Sequence, residues 1–246
     1  MMIVPNWPAP VNIKAISSLR KGGASLAPYD SLNVGMHVGD INSTVELNRQ
    51  RLVFAAEMPS NPVWLNQTHS NYVHELVQPT AEVIDADATF TNVQGVVCAA
   101  MTADCLPVLL TDKAGTQVAA VHAGWRGLAN GIVDNALAKF AVESPSDIIA
   151  WLGPAIGPDA FEVGQDVFDA FVGQNRQAQV AFKPSSNESG KYFANMHLLA
   201  TMVLNRFGVD EVYRSELCTH TEKESLFSYR RDGVTGRQVT CIWIDA

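Results

Sequence analysis

The stretch from residue 96 to residue 152 constrains the fold most, because short apolar runs alternate there with turn residues. Apolar runs of about four to eight residues between turn signals are typical of buried strands, whereas apolar residues three or four apart predict a helix. We therefore predict a hairpin turn at 113–115, a helix over 128–140, and strands over 96–100, 106–110, 117–121 and 148–152. Strands interleaved with helices indicate a mixed α/β or α+β fold.

Apolar periodicity predicts three further elements outside this stretch. Helices are predicted over 44–56 and 195–207, and Gly208 is the expected stop of the second one. A closing strand is predicted over 239–244. These elements add to the same fold, and no convincing linker separates them.

Two polar segments predict irregular structure. Residues 21–40 are rich in Gly, Ser, Asn and Asp and predict a long ordered loop, which in a compact domain is usually functional. Segment 173–191 is polar and rich in turn residues and predicts a surface excursion. We expect a single catalytic domain over 1–246.

Composition excludes several classes of protein. The 246 residues are 47% apolar and carry a formal net charge of −8 without a basic block, so nucleic acid is not an expected partner. The apolar stretch 96–110 is interrupted by Asp104 and Pro107, and the first ten residues do not resemble a signal peptide. Four cysteines in so long a chain form no disulfide framework. We expect a cytoplasmic monomer or small homo-oligomer without a membrane partner.

Cys105 is the first residue with a chemical signal. A lone cysteine beside an apolar run is most often a small core residue. Here Asp104 precedes it directly, and an ionisable carboxylate beside a thiol is costly in a core but useful in a site. A metal-binding or reactive thiol is therefore one interpretation, and a core cysteine is the other.

His122 lies at a predicted junction between a strand and a helix. It ends the apolar run 118–121 and precedes the glycine turn 123–127. Free N–H groups at the start of a helix, together with Arg126, would attract an anion such as phosphate. The alternative is a structural histidine beside a surface arginine.

His69 follows another apolar run, with amide side chains nearby. Together with Cys105 and His122 it would give one thiolate and two imidazoles, which suit a catalytic zinc ion with an open position. The spacing lacks a local signature such as HExxH, so other classes stay open. A metal-free hydrolase of an amide or ester would use Cys105 as nucleophile and His122 as base, without His69. A non-catalytic binding module is disfavoured by the ionisable residues at strand mouths.

Eight strings of sequence occur in a characteristic order. They are SLNVG (31–35), GD (39–40), LNR (47–49), TADCLP (102–107), VHAGWRG (121–127), WLGPAIGP (151–158), FEVG (161–164) and SYRRD with TGR (228–237). Together they resemble the YfiH-type family, whose members carry the names polyphenol oxidase, laccase-domain protein and, more recently, purine nucleoside phosphorylase. The resemblance extends over nearly the whole chain and weakens at 173–191.

The resemblance implies a layered α/β/β/α-like fold of two sheets, and a zinc ion bound by His69, Cys105 and His122. It also implies phosphorolysis of adenosine, inosine, guanosine and methylthioadenosine, together with deamination of adenosine. From the matching positions we expect three residues to take part in catalysis, namely Asp104, Asn33 and Asp87. Five are expected to bind substrate, if Arg126 of the glycine turn is included: Arg49, Arg126, Phe161, Tyr229 and Arg230.

The two reactions would share a site but need different nucleophiles. In phosphorolysis, phosphate held by the 123–127 turn and by Arg126 or Arg230 would attack the ribose carbon as the purine leaves. In deamination, water activated by the metal would attack purine carbon six, with Asp104 or Asp87 moving protons. The anion site at the turn favours phosphate.

The laccase name can be tested against the histidine count. Multicopper oxidases bind their copper ions largely through histidines in His-X-His pairs. This chain has six histidines and no such pair, so multicopper chemistry is not supported. A single-copper polyphenol oxidase stays open, because copper outcompetes zinc in affinity at nitrogen and sulfur ligands.

Overall fold

A pair of β-sheets packed face to face forms the centre of the molecule, described for residues 1–186 and 188–245 of a computed structural model. The strands are β1 (Met2–Ile3), β2 (Ile13–Ser18), β3 (Leu65–Asn66), β4 (Val73–Glu75), β5 (Ile84–Asp85), β6 (Ala88–Thr91), β7 (Cys98–Thr102), β8 (Leu106–Asp112), β9 (Val118–Ala123), β10 (Ile148–Leu152), β11 (Glu162–Val163), β12 (Phe182–Pro184), β13 (Tyr192–Ala194), β14 (Glu211–Arg214) and β15 (Gln238–Ile244). The helices are α1 (Asn42–Ala55), α2 (Trp125–Ala129), α3 (Ile132–Leu137), α4 (Gln165–Val172), α5 (Met196–Arg206) and α6 (Tyr229–Asp232), with 3₁₀ turns at Met36–Val38, Pro145–Asp147 and Arg176–Ala181.

The two main sheets differ in size and direction. The smaller one is antiparallel, with four strands in the order β1–β2–β15–β7. The larger one is mixed, with six strands in the order β14–β10–β8–β9–β6–β4, and its two edge strands run parallel to their neighbours. Strands β7 and β15 pack against β9, so the ends of β7 and β9 come close together.

Strand β8 illustrates why this stretch is apolar without interruption. Successive side chains of a strand point to opposite faces. Val108 and Leu110 belong to the cluster on the helix side, whereas Leu109 belongs to the cluster between the sheets. Because both faces of β8 are buried, every position in the run favours an apolar residue.

Three apolar clusters define the layers. The first lies between the two sheets and contains Leu109 and Trp151. The second packs Leu52 of α1 against the outer face of the four-stranded sheet. The third packs Ile132 of α3 and Leu199 of α5 against the outer face of the six-stranded sheet. The layers therefore follow the order helix, sheet, sheet, helix, which confirms the expected mixed, layered α/β/β/α fold.

Most predicted elements are confirmed within one to three residues. The helices expected over 44–56 and 195–207 are α1 and α5, and Gly208 ends α5 with a φ of +85°. The turn expected at 113–115 joins β8 to β9, and Gly115 has a φ of +69°. The strands predicted over 96–100, 106–110, 117–121 and 239–244 are β7, β8, β9 and β15, which differ from the predicted ranges only at their ends. Strand β10 matches its predicted range.

The single helix predicted over 128–140 is wrong, because the structure has two short helices, α2 and α3. Asn130 ends the first, and Gly131 has a φ of +85° and begins the second. A left-handed backbone cannot continue a right-handed helix. The apolar spacing crosses this break because both helices pack on the same sheet.

The polar segment 173–191 is also more ordered than predicted. Its 3₁₀ turn and strand β12 bury Ala178, Ala181 and Phe182, and β12 pairs with β13. The other residues of 176–184 are exposed, so the expected surface position is confirmed for most of the stretch. A few apolar residues among polar ones are enough to fix this segment. Asn187, in the same stretch, lies outside the described residues.

The loop 21–40 is ordered, as predicted, and it is held by α1. The amide of Asn48, which is fully buried, donates to Ser25 Oγ and to the backbone oxygens of Ser31 and Asn33. No helix among the described residues is long and apolar enough to cross a membrane. This loop and the loops that follow β3 and β7 surround the end of β9.

Candidate active site

Three segments far apart in sequence bring His69, Cys105 and His122 together. His122 lies near the end of β9, Cys105 lies between β7 and β8, and His69 lies in the loop after β3. One ligand atom of each side chain lies within 4.8 Å of the others, and Cys105 Sγ is 3.7 Å from His69 Nε2. This is the one such cluster of potential metal ligands in the described part of the chain.

Gly124 provides the space in which this cluster forms. A Cβ atom at this position would lie 2.6 Å from His69 Cδ2 and 3.2 Å from Cys105 Sγ. The φ of Gly124 is −60°, a value that any residue adopts, so space rather than backbone conformation requires glycine here.

Asp87 connects the two histidines behind the cluster. Its carboxylate is fully buried and accepts a hydrogen bond of 2.8 Å from His122 Nδ1 and one of 3.0 Å from the backbone N–H of His69. It also accepts hydrogen bonds from the backbone N–H and the hydroxyl of Ser70 and from the N–H of Thr68. Because Asp87 accepts from Nδ1, the Nε2 atom of His122 is left for the cluster.

Charges within the cluster shift the pKa of each buried member. Burial alone would raise the pKa of Cys105, but the positive charge and hydrogen bond of His122, with help from His69, lower it. Burial would lower the pKa of His122, but Cys105 and Asp87 raise it. Burial would also raise the pKa of Asp87, yet hydrogen bonds from His122 and Ser70 bring it to about 2. The arrangement therefore favours a thiolate at Cys105, which is the form that binds metals.

The donor set fits one zinc ion. Two imidazoles and a thiolate are ligands that zinc prefers, and three protein ligands leave a fourth position for a substrate or water. A carboxylate behind a histidine, like Asp87 behind His122, is the usual support of a metal-binding imidazole. The chemistry of the donors does not by itself separate zinc from copper.

A cavity of about 410 Å³ opens beside the cluster, which is within the usual size range of small-molecule sites. Besides the three ligand residues it is lined by Tyr229 and by six residues that the sequence did not single out: His37, Gln67, Met101, Thr102, Ala103 and Arg237. Arg237 belongs to the TGR string, and His37 lies in the glycine-rich loop. Neither has a local pattern that separates it from other polar surface residues.

One side of the cavity is cationic. Arg237 is half-buried, and its Nη1 donates to the backbone oxygens of Thr235 and Gly236. Arg49 is also half-buried, lies 3.7 Å over the ring of Trp64, and donates from Nε to the backbone oxygen of Val34. No ion pair within the described ranges pairs either guanidinium with a carboxylate.

His37 lies in the field of both arginines. Burial first, and then the charges of Arg237 and Arg49, lower the pKa of His37. Burial lowers the pKa of Arg49 to about 10, although Glu46 opposes this change. Since positive groups that lack carboxylate partners repel one another, this part of the cavity favours an anion.

None of the three predicted catalytic residues lines the cavity. Asp87 lies behind the histidines, as described above. Asn33 is fully buried, and its Oδ1 accepts hydrogen bonds of 2.9 Å from the backbone N–H groups of Gly35 and Arg237. Asp104 Oδ1 accepts from Thr219 Oγ1, and Oδ2 accepts from a backbone N–H of α6. Each of them holds a segment that carries a cavity residue.

The predicted substrate-binding residues are divided. Tyr229 lines the cavity and is 61% exposed. Arg49 is outside the lining, but its charge acts on His37, which belongs to the lining. Arg230 lies over the ring of Phe161 and donates to the backbone oxygen of Glu162, so this pair lies outside the cavity lining. Arg126 is exposed, lies over the ring of Trp125, and also lies outside the lining.

The class of protein is laccase-like, as a profile match over most of the chain shows. Residues 14–245 match the sequence profile of the family described as multi-copper polyphenol oxidoreductase laccase. The chain belongs to this family, and to the YfiH-type proteins within it.

Relatives of the same length support this assignment. The chain is 49% identical over 243 residues to a Haemophilus influenzae protein named purine nucleoside phosphorylase, covering 99% of both chains. It is 49% identical to the Escherichia coli K12 protein named purine nucleoside phosphorylase YfiH, covering 99% of this chain and 98% of the relative.

Solved structures agree with the fold. A Neisseria meningitidis protein superposes with a TM-score of 0.95 at 47% identity and covers 100% of this chain and 99% of its own. YlmD from Geobacillus stearothermophilus superposes with a TM-score of 0.86 at 30% identity, covering 97% and 94% of the two chains. The chain is therefore similar to these proteins along its whole length.

Proposed function

We propose that this protein is a zinc-dependent purine nucleoside phosphorylase formed by one catalytic domain over 1–246. Its substrates are adenosine, inosine, guanosine and methylthioadenosine, and it also deaminates adenosine. One observation carries this proposal: the His–Cys–His cluster and Arg237 line the same cavity, and the charge of Arg49 acts on His37 in that lining. The names of the relatives at about half identity support it. Four free cysteines fit a reducing compartment, and we propose the cytoplasm.

We assign phosphate to the cationic side of the cavity. Arg237 and Arg49 offer guanidinium N–H groups that have no carboxylate partner, and planar guanidinium groups suit the oxygens of phosphate. His37, with its lowered pKa, can donate a hydrogen bond while neutral. Arg126 and the 123–127 turn are less suitable, because Gly124 is already in close contact with the ligand cluster.

We assign the purine base to the ring of Tyr229 at the opening of the cavity. An aromatic side chain that is 61% exposed at a cavity rim offers a face on which a base can stack. Met101 and Ala103 supply apolar contacts below it. The ribose then lies between the base and the phosphate, beside the ligand cluster.

In phosphorolysis, a phosphate oxygen forms a bond to the anomeric carbon of ribose while the bond from that carbon to the purine nitrogen breaks. The residues on the cationic side hold phosphate in position for this displacement and balance its charge. A zinc ion held by His69, Cys105 and His122 would supply a Lewis acid at the same place. The purine leaves with the bonding electron pair and takes up a proton.

Deamination of adenosine needs water instead of phosphate as the nucleophile. Water adds at purine carbon six and ammonia leaves, so the products are inosine and ammonia. The same base site at Tyr229 serves both reactions. We therefore expect inosine formation without phosphate, and release of free base only with it.

The decisive experiment combines metal analysis with a product assay. We expect close to one zinc ion per chain in protein purified without chelator, and phosphate-dependent release of free base from adenosine and inosine by chromatography. His122→Ala should lose both the metal and the activity. His74→Ala is a matched control, because His74 lies outside the cavity lining and its ring contacts that of Tyr72.

Two results would contradict the proposal. Purified protein that contains no zinc would contradict the zinc assignment. Protein that contains copper instead of zinc would favour a single-copper polyphenol oxidase. Zinc-loaded protein that forms neither free base nor inosine excludes the nucleoside reaction.

A second candidate function rests on a specific geometry. Cys105, His122 and Asp87 lie in series, with the ligand atoms of Cys105 and His122 within 4.8 Å and His122 Nδ1 2.8 Å from Asp87, which is the order of groups in a cysteine hydrolase triad. In such an enzyme His69 is dispensable, whereas zinc binding requires it. Hydrolysis of an amide or ester that survives His69→Ala and chelation would favour this alternative.

A further inference from the structure

Asp104 directly precedes Cys105 in the sequence, yet its carboxylate accepts hydrogen bonds from groups outside the cavity lining. Oδ1 accepts a hydrogen bond of 2.6 Å from the hydroxyl of Thr219, which is fully buried. Oδ2 accepts a hydrogen bond of 2.6 Å from the backbone N–H of Arg230. Asp104 itself is 9% exposed and is absent from the cavity lining. Both of its oxygens thus have protein partners.

The second of these hydrogen bonds fixes the helix that carries Tyr229. Arg230 is the second residue of α6, and its N–H is one of those that a helix leaves without a partner in its first turn. Ser228 Oγ accepts from the N–H of Arg231 in the same turn. Two side chains therefore cap this four-residue helix, and Tyr229 lies directly before the two capped N–H groups.

The backbone of Asp104 is fixed as well. Its φ is +94°, which is unusual for a residue other than glycine, and its carbonyl oxygen accepts a hydrogen bond of 2.9 Å from the N–H of Ile156. Asp104 consequently joins the segment that carries Cys105 to three others: 155–156, Thr219 and α6. The side chains of α6 also anchor it, since Arg231 donates to the backbone oxygens of Thr219, His220 and Leu226 and Arg230 donates to that of Glu162. The hydrogen bond to Asp104 is the contact that ties the start of α6 to the segment that carries Cys105.

We propose that Asp104 is a positioning residue that holds the ring of Tyr229 over the cavity as the platform for the purine base. This role rests on the proposed phosphorylase function. It differs from proton transfer, because both carboxylate oxygens of Asp104 accept from Thr219 and α6, and Asp104 lies outside the cavity lining. The specificity of the site for a flat aromatic base then depends on a carboxylate one residue away from a metal ligand.

Replacement by asparagine and by alanine separates positioning from proton transfer. Asparagine tolerates a positive φ, and its amide can accept from Arg230 while it donates to the oxygen of Thr219. Asp104→Asn should therefore recover most of the defect of Asp104→Ala and keep the pH profile of kcat/KM. Asp104→Ala should raise the KM for inosine about tenfold, as expected for loss of one stacked base, with a smaller change in kcat and in the KM for phosphate.

Two further variants test the connection to Tyr229. Thr219→Val removes one partner of Asp104 without altering the ligand segment, and it should raise the KM for inosine in the same direction. Tyr229→Ala should resemble Asp104→Ala, and the double variant should be no worse than Tyr229→Ala alone. Zinc content is measured for each protein, and inosine binding without phosphate is measured by titration calorimetry, so that binding is followed apart from turnover.

The outcomes are distinct. If Asp104→Asn loses kcat as severely as Asp104→Ala, the carboxylate moves protons and the positioning role is overturned. Losses from Asp104→Ala and Tyr229→Ala that multiply in the double variant also overturn it. If Asp104→Ala does not fold, Thr219→Val decides, and an unchanged KM for inosine in that variant counts against the proposal. If zinc-loaded wild-type protein neither binds inosine nor releases base, the proposed function itself fails.

Discussion

Asp87 and Gly124 show how single residues fix the geometry of the ligand cluster from opposite sides. Asp87 holds His122 by its ring and His69 by its backbone, and Gly124 leaves the space into which His69 and Cys105 fit. Neither residue offers a ligand atom to the cluster. The position of the ligands therefore depends on two residues whose chemistry alone would not mark them as essential.

Gly124→Ala should abolish metal binding without unfolding the protein. The new Cβ would lie 2.6 Å from His69 Cδ2, a distance that real Cβ atoms essentially never show, so His69 must move away. The backbone itself accepts alanine. Zinc content and thermal unfolding are the two measurements. Gly164→Ala is the control, because the φ of Gly164 is −86° and the nearest atom to its new Cβ is the end of the Asp166 side chain, which can rotate away. Full zinc content in Gly124→Ala would refute the steric explanation.

Asp87→Asn should destabilise the metal-free protein in a pH-dependent way. The pKa of Asp87 falls from 3.8 to about 2 in the folded chain, so its ionised form stabilises the fold. This contribution, about 2 kcal/mol, is present above pH 4 and is lost as the pH falls towards 2. Urea unfolding of chelator-treated protein should show wild type and variant converging at low pH. We also expect a zinc affinity about 10- to 100-fold lower.

If the two proteins differ by the same free energy at every pH, the charge of Asp87 is not the cause. A variant that keeps full zinc affinity would show instead that the hydrogen bond to His122 is dispensable.

At the scale of elements, the break between α2 and α3 decides where the chain goes after His122. Gly131 reverses the sign of φ and lets α3 return to the sheet, so that both helices bury apolar residues in one cluster. The sequence predicted the apolar face correctly but not the break. A periodic apolar pattern reports which face is buried, and it is insensitive to one left-handed residue between two helices.

Gly131→Ala should destabilise the protein by about 1–2 kcal/mol, because alanine is strained at a φ of +85°. The nearest atom to the new Cβ is the end of the Asp134 side chain, which can rotate away. Gly131→Asn should lose less, since asparagine tolerates this conformation. Urea unfolding measures both. Equal losses in the two variants would mean that crowding, rather than backbone strain, sets the cost.

The strands and most helices of the fold could be predicted because their signal is local. Apolar runs such as those of β8 and β10 are buried on both faces and need no partner to be recognised. The candidate site is different. His69 is remote from Cys105 and His122 in sequence, so their residue types only suggested a shared metal site, and the family resemblance gave the three as one ligand set.

Pairing across the molecule also explains which site residues were missed. Arg237 enters the cavity because Asn33, from the other end of the chain, accepts its backbone N–H. Asp104 and Asp87 were predicted as proton-transfer residues because they are carboxylates at positions that match the family. Which way a carboxylate points is decided by donors such as Thr219, which no local pattern reveals.

At the scale of the whole molecule, the cationic side of the cavity should couple stability to phosphate. A ligand that binds only the folded state stabilises it by RT ln(1 + [L]/Kd), about 2.7 kcal/mol at 100 times Kd. We expect the melting temperature to rise with phosphate and not with chloride at matched ionic strength. Arg237→Gln should melt higher than wild type without phosphate and lose most of the shift. A shift of wild-type size in Arg237→Gln would place phosphate elsewhere.

Within the described ranges no ion pair joins Arg49 or Arg237 to a carboxylate. This also affects how long the protein survives while no anion is bound. Selection for stability alone would neutralise such charges. Their retention therefore lowers the stability of the folded protein in favour of its ability to bind an anion. The protein is then least stable when no anion is bound. When phosphate, the proposed co-substrate, is scarce, we expect a larger fraction of the protein to be unfolded and open to proteases, so that its amount falls with the phosphate concentration.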